Sequence, residues 1–94
     1  MNQPPRNWHT SVSPELREHM VGKLIKAIIP YPDPAILRDR QRIENVVTYA
    51  RNAEKDIFEA AYDKEAYYQM LAEKIGQERM IQRLNEVQLA ADGI

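Results

Sequence analysis

The distribution of proline constrains this chain more than any other feature. All six prolines lie before residue 35, and from there to the C-terminus the only glycines are Gly76 and Gly93. Proline removes a backbone N–H and glycine favours irregular backbone, so a segment almost free of both can form long uninterrupted helices. Strands would require β-branched alternation bounded by turns, and the sequence contains none. We therefore predict an all-α fold.

Local capping signals divide the chain into three long helices and one short one. Ser13-Pro14 places a side-chain acceptor at the N-cap and a proline at the first helical position, and Asp33-Pro34 repeats this signal. Prolines that follow the first helix end it, because the residue before a proline is driven out of the α region. Apolar residues at three- and four-residue steps continue the pattern, and Asp63 caps the last helix. The predicted helices cover about 14–29, 34–37, 40–61 and 64–89.

Length and composition bound the chain to one small domain. Ninety-four residues support a single core, and the absence of cysteine excludes disulfides and cysteine-ligated zinc. No apolar run approaches the ~18 residues of a membrane span, and residues 1–6 lack the apolar core of a signal peptide. We expect a soluble, intracellular three-helix bundle over residues 8–89, between a flexible leader at 1–7 and a tail at 90–94.

Catalysis finds no support in the sequence. The two histidines, His9 and His19, lack a metal-ligand spacing such as i, i+4. No Ser/His/Asp arrangement, glycine-rich phosphate loop or metal motif is present. Four glutamates are interpreted as members of solvated helix faces: Glu54, Glu59, Glu65 and Glu73. We therefore expect no enzyme activity, no cofactor and no bound metal.

The charge balance argues against nucleic acid as a partner. Thirteen Lys and Arg face fourteen Asp and Glu, which gives a formal net charge of −1, whereas nucleic-acid binders are usually clearly basic. Arg38, Arg40 and Arg42 cluster before the second long helix, but residues two apart scatter around a helix. A helical nucleic-acid-binding module stays open as an alternative, and the salt dependence of duplex binding would test it.

Two of the long helices carry more apolar surface than one packing seam requires. A bundle helix needs an apolar stripe about 100° wide, but the apolar arc of the first long helix spans about 200°. The third long helix has one stripe at Tyr68, Leu71, Ala72 and Ile75 and a second at Tyr67, Met70 and Ile81. Either this helix is wedged between the other two with both stripes in the core, or one stripe lines an exposed groove with Leu16, Met20 and Ala27.

An exposed groove of this kind suits an amphipathic helix of a partner protein. Lys23 falls at its edge on the same helical count, and a cationic edge favours acidic partner segments. Taken alone, Lys23 fits an ordinary solvated lysine better. A third interpretation is a structural bundle that uses the spare stripe for self-association.

The sequence resembles a known family over about residues 8–75. Two blocks are specific, the Pro-x-Pro-Asp-Pro-Ala run that begins at Pro30 and the Tyr-Tyr-x-x-Leu-Ala-Glu-Lys-Ile run that begins at Tyr67. Shorter matches are Trp8-His9, Leu16-Arg17, His19, Lys23-Leu24, Ala27-Ile28, Leu37, Asp39-Arg40, Glu44-Asn45, Val47, Tyr49-Ala50-Arg51, Glu54 and Asp56. Together these residues resemble the KIX domain of the CREB-binding-protein family of transcriptional coactivators.

The resemblance implies a fold, a function and two binding surfaces. KIX domains are three-helix bundles with short 3₁₀ segments, and they bind transcription-factor activation domains that dock as acidic amphipathic helices. The implied groove between the first and third long helices is lined by Leu16, Met20, Lys23, Ala27, Tyr68, Leu71, Ala72 and Ile75. The implied second surface, which takes mixed-lineage-leukaemia-type activators, contains Ile28, Ile29, Ile43, Val46, Val47, Ala53 and Ile57. A nuclear, monomeric module without catalysis of its own follows, whether free or within a larger acetyltransferase coactivator.

Departures from the family pattern also carry an expectation. The family usually has a tyrosine after the Glu-Lys-Ile block, whose hydroxyl meets a partner's phosphoserine, and here that position is Gly76. A family lysine one turn later is absent near Met80, so a phosphate would find Lys23 and Arg79 but no phenol. We therefore expect weak phosphorylation dependence. Trp8, the only tryptophan, is expected to pack on the bundle rather than on a ligand.

Overall fold

A computed structural model of the chain describes residues 6–31 and 33–92, with side chains for 8–31 and 33–88. Within these residues all regular structure is helical, which confirms the all-α prediction. The elements are a 3₁₀ helix at Arg6–Ser11, α1 at Pro14–Ile28, α2 at Pro34–Arg38, α3 at Arg40–Ala60 and α4 at Lys64–Asp92. The three long helices end within one turn of their predicted bounds. No helix in the described residues has the length and apolarity that crossing a membrane requires.

The predicted chain ends are covered only in part. Of the leader at 1–7, Arg6 and Asn7 belong to the 3₁₀ helix and residues 1–5 lie outside the described residues. Of the tail at 90–94, residues 90–92 continue α4 and 93–94 lie outside the described residues. Pro32, part of the predicted helix stop, also lies outside them. The domain bounds of 8–89 therefore stay a prediction.

Each of the α-helices in the described residues, the short α2 included, begins after an acidic or hydroxyl residue that caps it. The side chains of Ser13, Asp33 and Asp63 each accept a hydrogen bond from a backbone N–H three residues later, at 2.8–3.1 Å. Asp39 caps α3 in the same way, 3.1 Å from the amide of Arg42. Such caps satisfy N–H groups that a helix leaves free in its first turn, so local sequence is sufficient to set these boundaries.

The first long helix, α1, holds the central position of the bundle. It packs extensively against both α3 and α4, whereas α3 and α4 touch each other less. Pairing of Arg17 with Glu54, and of Glu18 with Arg51, shows that α1 and α3 are antiparallel. The predicted alternative in which the third long helix lies between the other two is therefore wrong about the packing order, although both stripes of that helix contribute to the core, through Leu71 and Tyr67. The observed order leaves one side of α4 uncovered.

An aromatic cluster fastens the 3₁₀ helix to the bundle. Trp8 is 8% exposed, and its ring centroid lies 5.2 Å from that of Phe58 and 5.6 Å from that of Tyr67. His9 Nε2 donates a hydrogen bond to the backbone oxygen of Phe58 at 2.9 Å. The expectation that Trp8 is structural is confirmed, and the side chains that share the core with it include Leu24, Tyr67 and Leu71.

A buried ion pair joins α1 to α3 beneath this cluster. Arg17 donates two hydrogen bonds of 2.8 Å to Glu54, and Tyr67 of α4 donates a third of 2.8 Å to the same carboxylate. The interpretation of Glu54 as a solvated residue is wrong: it is 3% exposed, because its three donors replace water. Glu59, Glu65 and Glu73 are exposed, as expected.

Candidate protein-interaction groove

The predicted groove residues occupy neighbouring faces of α1 and α4, two helices that pack together. Lys23, Tyr68 and Ala72 are exposed, and Tyr68 has 36% of its surface accessible. Partly exposed are Leu16, Met20 and Ile75, which pack against the core at one side and reach the surface at the other. Apolar side chains of both helices are therefore accessible to solvent.

Two of the predicted groove residues are buried instead. Leu71 is 1% exposed and Ala27 is 2% exposed, so both contribute to a packed floor rather than to the surface, and Ala27 also borders the cleft at the end of the bundle. A floor of this kind keeps the helix axes at a fixed separation, while the half-buried side chains above it supply the contact area. The assignment of all eight residues to a binding groove stays a prediction.

Electrostatically the groove is nearly neutral with a cationic edge. Lys23 is exposed at that edge and forms no ion pair with the side chains described between residues 8 and 88. No cluster of acidic or histidine side chains in the described part of the chain could hold a metal ion. The surface offers hydrophobic contact and an accessible cation, which is chemistry suited to peptide docking.

Gly76 does not interrupt the helix that forms one wall. The α4 helix is continuous from Lys64 to Asp92, and a Cβ built at Gly76 meets no atom within 4 Å. The residue is exposed one turn beyond Ala72, on the side where the groove opens. A gap therefore stands where a side chain would otherwise project toward a bound partner.

The seven residues of the predicted second surface are all partly exposed. They lie on the end of α1 and along α3, and two of them, Ala53 and Ile57, pack against the core. Ile29 and Ile43 line a cleft of about 710 Å³ at the end of the bundle, where α1, α2, α3 and α4 meet. The structure thus brings only part of the predicted set to one concave site.

The cleft also contains residues that sequence reasoning missed. Tyr31 is 76% exposed and Leu37 is 62% exposed, and both line it together with Arg79 and Arg83 of α4. The signal in the sequence was the presence of large apolar side chains inside a proline-rich connection, where polar residues are usual. Periodicity could not reveal them, because a loop and a five-residue helix have no repeating face.

A second buried carboxylate, Glu78, ties α3 to α4 beside the cleft. Glu78 is 6% exposed, accepts a hydrogen bond of 2.5 Å from the Tyr49 hydroxyl and lies 3.4 Å from Lys74 Nζ. The ammonium of Lys74 also sits over the Tyr49 ring, 5.3 Å from its centroid. The pKa of Lys74 is raised, first by Tyr49 and then by Glu78. Sequence spacing did not predict this network.

A smaller cleft between α1 and α3, of about 560 Å³, is lined mainly by charged side chains. Arg17 and Glu54 are paired with each other there, as are Glu18 and Arg51. Because these four charges are neutralised within the bundle, the cleft is better suited to stability than to ligand binding.

A helical bundle with exposed and half-exposed apolar side chains on two packed helices is typical of a protein-interaction domain. A family profile for the KIX domain matches residues 4–86, and the chain belongs to this family. The Caenorhabditis elegans protein cbp-1 is 44% identical over 93 residues, which are 93% of this chain and 5% of that protein. The C. elegans protein sepa-1 is 33% identical over 57 residues, which are 61% of this chain and 8% of that protein.

Family membership confirms the resemblance and the bundle fold expected from the sequence. KIX domains are non-catalytic interaction domains that bind activation domains of transcription factors. The chain spans about a twentieth of the length of cbp-1. What the family leaves open for this chain is where a partner docks and what chemistry it carries.

Proposed function

We propose that this chain is the activator-binding module of a transcriptional coactivator, and that it holds acidic amphipathic activation-domain helices in the groove between α1 and α4. The observation that carries the proposal is the exposure of Tyr68 and Lys23 above the half-buried Leu16, Met20 and Ile75. An apolar surface bounded by two helices gives a partner helix two walls at once, so its i, i+3, i+4 and i+7 side chains can be buried together.

The physical source of affinity is apolar burial, at about 25 cal/mol for each Å² removed from water. The ordering of a disordered activation domain opposes it and typically costs ~2–5 kcal/mol. Lys23 adds attraction for carboxylates at the edge, which raises association rates and selects acidic segments more than it adds affinity. This combination supports reversible binding to several partners.

The second part of the proposal is a second activator surface at the other side of the bundle. It uses the end of α1 and the α3 face that carries Ile43 and Val46, and it extends into the cleft that Tyr31 and Leu37 line. The cations Lys26, Arg79 and Arg83 surround the cleft and favour acidic segments there as well.

The third part concerns phosphorylation. With Gly76 in place of a phenol donor at that position, a phosphoserine in the groove would meet Lys23 and Arg79, of which Arg79 also lines the cleft of the second surface. Each charge-assisted hydrogen bond contributes about 1.5–3 kcal/mol, so the loss of one donor removes much of the preference for a phosphorylated partner. Unphosphorylated activators are therefore the main ligands of this groove.

For the protein that contains this module, we propose a nuclear coactivator, with the module itself monomeric and without direct contact to nucleic acid. Support comes from the similarity to cbp-1 and from the near-neutral net charge of −1. Two measurements bear on the rival interpretations. Sedimentation at several concentrations would reveal self-association, and a steep salt dependence of duplex binding would reveal a nucleic-acid module.

The decisive experiment is an NMR titration of the ¹⁵N-labelled domain with an acidic amphipathic activation-domain peptide. We expect saturable amide shifts concentrated around Leu16, Met20 and Leu71. A control peptide of the same composition with its apolar residues scrambled out of helical spacing should produce no saturable shifts. Shifts confined to the Tyr31 and Leu37 side would assign binding to the second surface only and would refute the groove assignment.

A further inference from the structure

The distal half of α4 carries large apolar side chains that no described element covers. Met80 is 56% exposed, Leu84 is 59% exposed and Val87 is 62% exposed, and none of them belongs to the core cluster. We call these three residues the distal row. Ile81 is 48% exposed and lies about 100° around the helix from Met80 and about 60° from Leu84, beside the row on the side away from Ala72.

The distal row is continuous with the groove. Ala72, Gly76, Met80 and Leu84 follow one another at four-residue steps, and such steps form one inclined ridge on a helix surface. At 1.5 Å per residue, this line covers about 18 Å along α4. A straight helix that leaves the groove and crosses α4 obliquely therefore meets the distal row without bending.

Gly76 opens the path between groove and distal row. It is exposed, α4 remains helical through it, and the space beside its Cα contains no atom that a Cβ would meet within 4 Å. Glycine at an exposed helix position costs about 1 kcal/mol relative to alanine. Nothing in the fold itself requires this glycine, whereas a partner backbone that crosses at this point gains closer approach.

Charged residues on both sides of the ridge from Ala72 to Leu84 favour a partner of complementary charge. Arg79 and Arg83 are exposed on the flank nearer α1, where they also line the cleft at the end of the bundle together with Glu86, and neither guanidinium pairs with an acid among the side chains described from 8 to 88. Glu73 is exposed on the opposite flank. A partner helix with acidic residues along one edge of its apolar face would be attracted in a single rotational setting.

The size of the distal row argues against a second copy of this chain as its occupant. A standard interface involves about 20–30 residues a side, and the row supplies three large apolar ones. Three residues are too few to form an interface by themselves, but they can add contact area to an interface that a partner already makes in the groove.

We propose that the distal row extends the α1–α4 groove, so that the preferred partner is one long, unphosphorylated acidic amphipathic helix that continues past Gly76. This inference rests on the proposed function, because it requires activator binding in the groove. In this proposal Met80 and Leu84 are specificity-determining residues, because they increase the affinity for longer partner helices.

Three synthetic peptides test the inference. All share a 15-residue core with leucines at i, i+3, i+4 and i+7 spacing and glutamates between them, and two carry the same two-heptad extension, one at each end. Isothermal titration calorimetry should show that one extended peptide binds the wild-type domain at least tenfold more tightly than the core peptide.

Variants of the domain then show which residues provide the additional affinity of the extended peptide. The double substitution Met80→Gln with Leu84→Gln should lower the affinity of that extended peptide to the affinity of the core peptide, and the affinity of the core peptide itself should not change. The fold should tolerate both substitutions, since both sites are exposed and glutamine is a good helix former. Tyr62→Gln, the control at a 62% exposed residue outside α4, should leave both affinities unchanged. Tyr68→Ala should weaken all peptides that bind.

The same experiment distinguishes a failure of the distal-row proposal from a failure of the groove assignment. If the core peptide binds through Tyr68 but neither extension adds affinity, the distal-row proposal alone is overturned. If no peptide binds the folded domain, the groove and its extension are both overturned. If sedimentation shows a dimer that Leu84→Gln dissolves, the row belongs to a second copy, and the long-partner proposal is overturned.

Discussion

Arg17 of α1 and Glu54 of α3 form a bidentate, partly buried ion pair that lies against an aromatic ring. Both N–O distances are 2.8 Å, and the guanidinium carbon stands 3.8 Å above the centroid of the Phe58 ring. Tyr67 donates to the same carboxylate from α4. One carboxylate thereby joins the three long helices, and it sits beneath the end of the bundle where the groove begins.

Removal of the Glu54 charge should destabilise the domain strongly. Glu54→Gln leaves Arg17 without its counterion, and loss of one partner of a buried pair costs about 3–5 kcal/mol. We expect the free energy of unfolding, measured in urea, to fall by about 3 kcal/mol, the lower end of this range. The reason is that 32% of the Arg17 side chain is accessible, so water screens its uncompensated charge. Glu18→Gln, which breaks the exposed pair with Arg51 at the same helix interface, should leave the urea midpoint unchanged.

Alkaline pH should destabilise the domain through Tyr67. Burial first, and then the hydrogen bond to Glu54, raise the pKa of the Tyr67 phenol above its ordinary value near 10. Because the folded pKa lies above the unfolded one, the stabilisation is complete below about pH 10 and is lost as pH rises further. The free energy of unfolding should therefore fall above about pH 10.

Two tyrosine variants check this assignment. Tyr67→Phe should cost about 1.5 kcal/mol at neutral pH and reduce the alkaline slope. The slope should not vanish, because the pKa of Lys74 is also raised and its loss of stabilisation falls in the same range. Tyr62→Phe, at a 62% exposed residue, should behave like the wild type. An unchanged slope in Tyr67→Phe would contradict the prediction.

Tyr68 should act as a binding residue and not as a folding residue. Its side chain is at the groove surface with 36% exposure, so Tyr68→Ala should weaken an acidic activation-domain peptide by about 1–3 kcal/mol. Tyr62→Ala removes a more exposed aromatic residue outside the groove and serves as the control. Isothermal titration calorimetry should compare the peptide affinities of the two variants, provided that both have native circular dichroism spectra. Equal affinities would mean that the groove assignment is wrong.

Gly76 should keep phosphorylation dependence low. We expect less than a tenfold difference in affinity between matched phosphoserine and serine peptides for the wild-type domain. Gly76→Tyr should increase that difference, because open space at Gly76 accommodates the ring and the phenol supplies a donor.

Gly76→Ala separates the donor from the helix propensity. It should stabilise the fold by about 1 kcal/mol without any change in phosphopeptide preference. A phosphopeptide preference of tenfold or more in the wild type would sink the prediction, because it would require a phosphate site that does not depend on a residue at 76.

The helices and their ends could be predicted because local sequence controls them. Ser13, Asp33 and Asp63 each accept a hydrogen bond from an amide three residues away, and Pro14 and Pro34 each occupy the first position of a helix. The apolar stripe at Tyr68, Ala72 and Ile75 could be predicted for the same reason, since helical spacing alone places these residues on one face.

The second surface was predicted only in part, because it depends on contacts between distant segments. Ile43 and Ile29 fell within the expected set, but Tyr31 and Leu37 lie in a connection and a short helix that have no periodicity. Their role depends on the approach of Arg79 and Arg83 from α4, which no local pattern encodes.

By itself, the sequence determined that this chain forms three long capped helices, which of their faces are apolar, and to which family it belongs. Tertiary structure alone decided that α1 is central, that Glu54 and Glu78 are buried, and that the distal row of α4 is left uncovered. The physical reason is range. Caps and stripes arise from interactions within a few residues, whereas the burial of a carboxylate depends on donors from helices that meet only after the bundle has formed.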